Sequence, residues 1–197
     1  TLAGLLGLVG RSQSPKLTEL KTDQISVSYD ADSWTIENQS NVKETYLCFT
    51  HGDAKSSDIG LVIEAYHDVI NPSDMMDYYK ESFAQNLGAE DMRLASQASS
   101  DKAWASLSGM CTETAKNEKM HFNIQATATS SGTYVTTLMY VPNTDNALVE
   151  SAIAISDSIV QIPYVEPEPG DYSGKSLDDL TEDYLANMSW DDMVQVM

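Results

Sequence analysis

Three histidines, His51, His67 and His121, are the whole imidazole supply of this 197-residue chain, and two of them stand beside carboxylates, as His51-Gly52-Asp53 and His67-Asp68. A ring next to a carboxylate is the minimum for an oriented general base or for part of a metal site. His51, Asp53 and His121 are therefore the residues a metal-dependent hydrolase would use. The His67-Asp68 pair is weaker, because successive residues of a strand point to opposite faces and cannot share one ligand. No His-Glu-x-x-His run occurs to present two rings from one helical turn. Histidines at loop ends or facing solvent account for the pattern better than a metal centre does.

Other reactive motifs fare no better. The chain has no Gly-x-Ser-x-Gly elbow and no phosphate-binding glycine loop, and Gly4, Gly7 and Gly10 have the wrong spacing for a dinucleotide turn. Ser99-Ser100-Asp101-Lys102 matches the Ser-x-x-Lys pattern of penicillin-recognising serine enzymes, but it falls in a turn and lacks the Lys-Thr-Gly and Ser-Asp-Asn segments. Asp30 and Asp32 precede Trp34 without the glycine or distal glutamate of a calcium loop. Asp178, Asp179, Glu182 and Asp183 read as the solvated side of a helix. The expectation is no catalytic residue, no cofactor and no metal. Cys48 and Cys111 both fall in strand-like runs, so they are either two buried free thiols or a bridge between neighbouring strands.

The charge balance excludes whole classes of partner. Thirty acidic residues against eleven basic ones give a formal net charge of −19, and the basic residues are scattered singly. Phosphate backbones and anionic headgroups repel such a surface, so no nucleic acid is expected, and membrane contact only through an N-terminal anchor. The chain begins at Thr1, which suggests a processed or clipped product. Leu2 to Val9 is a short apolar run, well under the roughly 20 residues that span a bilayer. It reads as the end of a signal-peptide core, with Arg11 where a lipoprotein signal would carry cysteine.

The elements that must position these residues follow from periodicity. Ile25, Val27 and Tyr29, then a turn at Asp30 to Ser33, then Trp34 and Ile36, read as a hairpin. Two further runs, Thr45 to Thr50 and Ile59 to His67, complete four strands. Asn71 as cap, Pro72, Asp74 and the stripe Met76, Tyr79, Phe83 and Leu87 before Gly88 make one helix. Ala103 to Thr114, Met120 to Thr129 and Tyr134 to Val141 are three more strands. In the second of these Met120, Phe122, Ile124 and Ala126 share a face. Leu148, Ala152, Ile155 and Ile159 mark a second helix. Trp104 faces away from Ala103, Ala105 and Leu107, so it lies under a helix or is an exposed contact residue.

The fold class expected is α+β: an antiparallel β-sheet meander with two helices covering a face, and a C-terminal acidic tail. Residues 1–23 form a signal-like or linker segment and 24–161 the α+β domain. Residues 162–175 form a proline-rich linker, and 176–197 an acidic amphipathic tail with Leu177, Leu180, Tyr184 and Met188 on one face.

Three segments carry a family likeness. They are Ile25-Ser-Val-Ser-Tyr-Asp30 followed by Trp34, the helix after His67-Asp-Val-Ile-Asn71, and Tyr134-Val-Thr-Thr-Leu-Met-Tyr140 leading to a helix ending Ile155-Ser-Asp-Ser-Ile159. Together they resemble the PsbP-like family, whose fold is shared by the extrinsic PsbP subunit of photosystem II and the Ran-binding Mog proteins. The resemblance covers residues 24–160 and rests on core-forming motifs, which inform about fold far more than about function. It implies a binding or assembly role, with bacterial relatives that are exported or lipid-anchored. The leading expectation is a non-catalytic extracytoplasmic module, secreted or anchored at the cell surface, that binds a protein or small-ligand partner. The alternatives are the hydrolase using His51, Asp53 and His121, and an intracellular GTPase partner of Mog type.

Overall fold

Apolar alternation and two capped amphipathic runs build ten strands and two helices in the computed structural model, which describes residues 16–52, 57–99, 102–113 and 117–165. In chain order these are β1 (Leu17–Lys21), β2 (Ile25–Asp30), β3 (Trp34–Asn38), β4 (Glu44–His51), β5 (Ile59–Tyr66), α1 (Pro72–Leu87), β6 (Glu90–Ala98), β7 (Lys102–Glu113), β8 (Glu118–Thr129), β9 (Gly132–Tyr140), α2 (Asn146–Asp157) and β10 (Val160–Gln161). A seven-stranded sheet has the order β3-β4-β5-β9-β8-β7-β6, and a three-stranded sheet has the order β1-β2-β10. Every recorded pairing is antiparallel. The α+β class therefore stands.

The topology departs from a simple meander in three ways. Two meanders, β3-β4-β5 and β6-β7-β8-β9, meet where β5 pairs with β9, from Ile59 opposite Tyr140 to Tyr66 opposite Thr133. The expected hairpin of β2 and β3 does not form. Asp30 accepts hydrogen bonds from the Asp32 amide (3.1 Å) and the Ser33 hydroxyl (2.7 Å), and this turn carries the chain from one sheet into the other. β2 pairs instead with β1 and β10, and the folded unit begins by Leu17, upstream of the boundary expected at residue 24.

The helices also cover opposite faces, not one. Register parity makes this plain. Ile63 stands opposite Thr136 and Leu61 opposite Leu138, so the even residues of β9 share a face with the core of Ile25, Val27, Leu47, Phe49, Ala152 and Ile155. Phe122 stands opposite Met139 and Ala126 opposite Val135, so the odd residues of β9 share the other face with the core of Met76, Leu107, Phe122 and Ile124. α2 and the small sheet cover the β3-β4-β5-β9 half of the first face. α1 covers the β6-β7-β8-β9 half of the second.

Local chemistry fixes each cover. Asn71 accepts the Ser73 amide at the start of α1 (3.1 Å), Pro72 takes the first position, and Gly88 ends the helix in the left-handed conformation with the Ala89 amide on the Phe83 carbonyl (3.1 Å). The Thr133 hydroxyl accepts the Ile70 amide (2.8 Å) and pins the loop that enters α1. Asp145 caps α2 by accepting the Ala147 amide (3.0 Å). At its other end the Ser158 hydroxyl accepts from the Ser28 amide (2.9 Å) and lies 3.1 Å from the Ser28 carbonyl, and the Trp34 indole donates to Ser151 (3.0 Å). A buried polar cluster joins the two sheets: Gln24 accepts from the Thr45 hydroxyl (2.7 Å) and donates to the Val42 carbonyl (2.9 Å).

β6 closes one edge of the large sheet, and most of its side chains are exposed whichever face they point to. At the β8–β9 turn, Gly132 has φ +134°, and a β-carbon there would lie against the Tyr66 carbonyl oxygen, closer than real contacts allow. Gly132→Ala should therefore destabilise the protein by roughly 2–4 kcal/mol, combining backbone strain with displacement of the end of β5. Urea unfolding of the two proteins measures it, and a loss below about 0.5 kcal/mol contradicts this packing.

Candidate functional site

The residues singled out by sequence do not converge. His51 ends β4 exposed, with its ring edge-on to Trp34 at 5.9 Å, and Asp53 lies outside the described residues. His121, on β8, stands opposite Tyr140, and the two rings are 5.3 Å apart. Extending the β4–β5 register by one residue puts His51, Ile59, Tyr140 and His121 in a single row across the sheet. His51 and His121 are then three strand spacings apart, about 14 Å, too far to share a metal or a reacting atom. His67 sits in the loop after β5 with its Nδ1 buried and without a partner, and its ring lies 5.1 Å from that of Tyr164. Among the described residues no group of three or more His, Cys, Asp or Glu could hold a metal ion.

The Ser99 hydroxyl and amide both donate to the Lys102 carbonyl at 2.8 Å, so this serine belongs to the tight turn its position implies. Trp104 is half-buried on the polar side of β7, away from α1. Cys48 and Cys111 are both free. They lie on β4 and β7, four strand spacings apart, about 19 Å, where no bridge can form between them. Burial pushes both thiols up from their ordinary pKa, and the Glu37 carboxylate adds to the effect at Cys48. Residues 1–15, which hold the apolar run of the N-terminal signal-like segment, the tail of residues 176–197 and most of the proline-rich linker lie outside the described residues. Among the described residues no helix is long and apolar enough to cross a membrane.

Among the described residues, two of the clefts lie one beside each helix, each on the flank where that helix stops covering the sheet. The first, of about 440 Å³, lies between α2 and the strands β8 and β9. Its floor carries Asn123, Gln125, Tyr134 and Thr136, and its wall Val149 and Ile153. Thr136 is 8% exposed, and neither its hydroxyl nor the amides of Asn123 and Gln125 make a side-chain hydrogen bond with the described residues. Asn123 is exposed and Gln125 half-buried, so these groups face the solvent of the cleft and are open to an outside partner. Lys102 and Asp157 also line the cleft and bring opposite charges.

The second cleft, of about 560 Å³, lies on the opposite face between α1 and β5 and is lined by Tyr66, Tyr78, Tyr79 and Phe83 with Glu64 and Asp74. Both the Tyr66 and Tyr79 hydroxyls donate to Glu64 Oε2, at 3.0 and 3.2 Å. Desolvation, and then the Glu64 charge, push both phenols far above the ordinary tyrosine pKa, so they stay protonated donors. Sequence reasoning placed Tyr79 and Phe83 on the buried stripe of a helix and read Tyr66, Tyr78 and Tyr79 as core or rim aromatics, and it singled out none of the polar lining. Asn123 and Gln125 alternate with Phe122, Ile124 and Ala126 and so read as a plain solvent face. The one signal was β9, where Tyr134, Leu138 and Tyr140 on one side and Val135 and Met139 on the other leave no polar face.

No family model matches the sequence, and no curated protein does. Among solved structures, the cyanobacterial PsbP (CyanoP) of Synechocystis sp. PCC 6803 aligns over 81% of this chain and all of its own, with a TM-score of 0.52 and 14% identity. The chain has the PsbP-like fold. LpqN of Mycobacterium tuberculosis, described as involved in cell envelope biogenesis, aligns over 75% of this chain and 91% of its own, with a TM-score of 0.46 and 11% identity. At such identities a likeness concerns the fold alone, so the chemistry has to come from this chain's own side chains.

Two outcomes follow from these sites. Thr127 is fully buried beside the first cleft with its hydroxyl unpartnered, so Thr127→Val should raise stability by about 0.5–1.5 kcal/mol in thermal unfolding. A loss of stability would mean that the hydroxyl has a partner. With both thiols raised, iodoacetamide at pH 7.5 should label folded protein at least tenfold more slowly than unfolded protein, as mass spectrometry can follow.

Proposed function

We propose that this PsbP-like chain is a non-catalytic binding module that works outside the cytoplasm and holds a small, uncharged, hydroxyl-rich ligand in the cleft beside α2. The observation that carries the reading is Thr136: a threonine more than nine-tenths buried whose hydroxyl lines the cleft without a partner. Asn123 and Gln125 add amide donors and acceptors that match ligand hydroxyls, and Val149 and Ile153 offer a wall for the ligand's C–H surface. Lys102 and Asp157 balance one another, so the cleft has no net preference for a charged ligand. The apolar run Leu2 to Val9 supports export. The hydrolase reading loses its support, because His51 and His121 stand three strands apart.

The binding test is titration of isotope-labelled protein with neutral mono- and disaccharides, followed by amide chemical shifts. Saturable shifts are expected along β8, β9 and α2, and the double variant Asn123→Ala/Gln125→Ala should weaken binding at least fivefold with an unchanged melting temperature, at about 1 kcal/mol per lost hydrogen bond. Indifference of the double variant, or shifts confined to other elements, would defeat the proposal. Cell fractionation tests the location, and recovery of the full-length product in the cytosol counts against it.

A further inference from the structure

We infer that the second cleft, between α1 and β5, is a separate recognition site for an arginine side chain presented by a partner protein. Its chemistry is that of a cation receptor. Tyr66, Tyr78, Tyr79 and Phe83 supply aromatic rings, and Glu64 and Asp74 supply carboxylates. The negative face of an aromatic ring and an unpaired carboxylate both attract positive charge, and they do so more strongly where water is partly excluded.

Three observations sharpen this beyond general acidity. No lysine, arginine or histidine lines the cleft, and the one ion pair among the described residues, Lys119 with Glu90 at 3.7 Å, lies elsewhere. Glu64 is also held in place: its Oε2 accepts both phenol hydroxyls, which leaves Oε1 as an acceptor with a fixed direction. Finally, Tyr78 is 69% exposed, with its ring edge-on to Tyr79 at 5.7 Å, and is free to stack on an incoming planar group. A guanidinium suits this arrangement better than an ammonium, because it is planar, weakly hydrated and able to stack on a ring while its edge donates to a carboxylate.

Charge complementarity also selects against the chain's own C-terminal region as occupant. Residues 166–197 hold nine acidic residues, one lysine and no arginine. Arg93, on β6, stands opposite Ser108 of β7 and lies on the face of the sheet away from α1. The chain's other arginine, Arg11, lies outside the described residues, so the occupant inferred from the cleft's own chemistry is a basic segment of another protein, and the titration below reads it directly.

The experiment titrates the labelled full chain with a blocked Gly-Arg-Gly peptide and with its lysine and citrulline counterparts, reading amide shifts. Saturable shifts are expected at β5 and α1, with arginine binding more tightly than lysine and the uncharged citrulline peptide at least tenfold more weakly. Glu64→Gln and Tyr78→Ala should each weaken arginine binding at least fivefold, and Tyr78 is exposed enough for its variant to stay folded. Glu19→Gln, an exposed position on β1 in the other sheet, should change it less than twofold. Equal losses from Glu19→Gln and Glu64→Gln would reduce the effect to diffuse attraction by an anionic protein and overturn the inference. Equal binding of the citrulline peptide would overturn it as well.

Discussion

The pairing of β5 with β9 is the constraint on which the rest of the molecule depends. Eight residue pairs, Ile59 with Tyr140 through Tyr66 with Thr133, join two meanders that would otherwise be separate sheets. β9 is also the strand whose two faces both lie inside the protein: Leu138 belongs to the core under α2, and Val135 to the core under α1. A one-residue slip in this pairing would exchange those faces and place Thr136 where Val135 packs. Both hydrophobic cores are thus registered by a single ladder.

Half-coverage on opposite sides follows from that ladder, and the clefts follow from half-coverage. A cover laid over part of a twisted sheet leaves a step where it stops, and side chains at the step have apolar neighbours on one side and solvent on the other. Beside α2 the step leaves Asn123, Gln125 and the hydroxyl of the largely buried Thr136 lining the cleft. Beside α1 it exposes Glu64 and Tyr66. Both steps are built on anchored elements. Ser158 and Trp34 hold α2 to β2 and β3, while Thr133 and the Asn71 cap hold the start of α1. Sites framed by such fixed elements lose little entropy when a ligand arrives.

Much of the architecture was legible in the sequence, for identifiable reasons. α1 announced itself through Asn71, Pro72 and Gly88, and its bounds match those caps. β5 and β8 showed the alternation that a half-covered strand must show, and β9 stood out by its run of apolar, aromatic and β-branched residues. β1 and β6 escaped notice because both are edge strands, exposed on most positions, and exposure removes the period-two signal. The hairpin expected around Asp30 failed because a turn signal says that the chain changes direction and not which layer it enters. Placing both helices on one face was an error of the same kind, since parity across β9 exists only once β5 has been chosen as its partner. The clefts were illegible for that reason too. Their lining comes from elements far apart in the chain, and nothing local marks Thr136 as different from any other strand threonine.

The exposed edge formed by β6 has a consequence for colloidal behaviour. From Leu94 to Ala98 that strand carries no charge, and among the described residues no strand pairs with its outer side, where backbone groups can template another strand. Mutual repulsion between molecules of net charge −19 keeps two such edges apart at neutral pH. Near the isoelectric point of about 4.2 that repulsion vanishes while the edge is unchanged. Acidification thus strips the rim of the sheet of the charge repulsion that shields it, and the acidic composition serves the solubility of this fold.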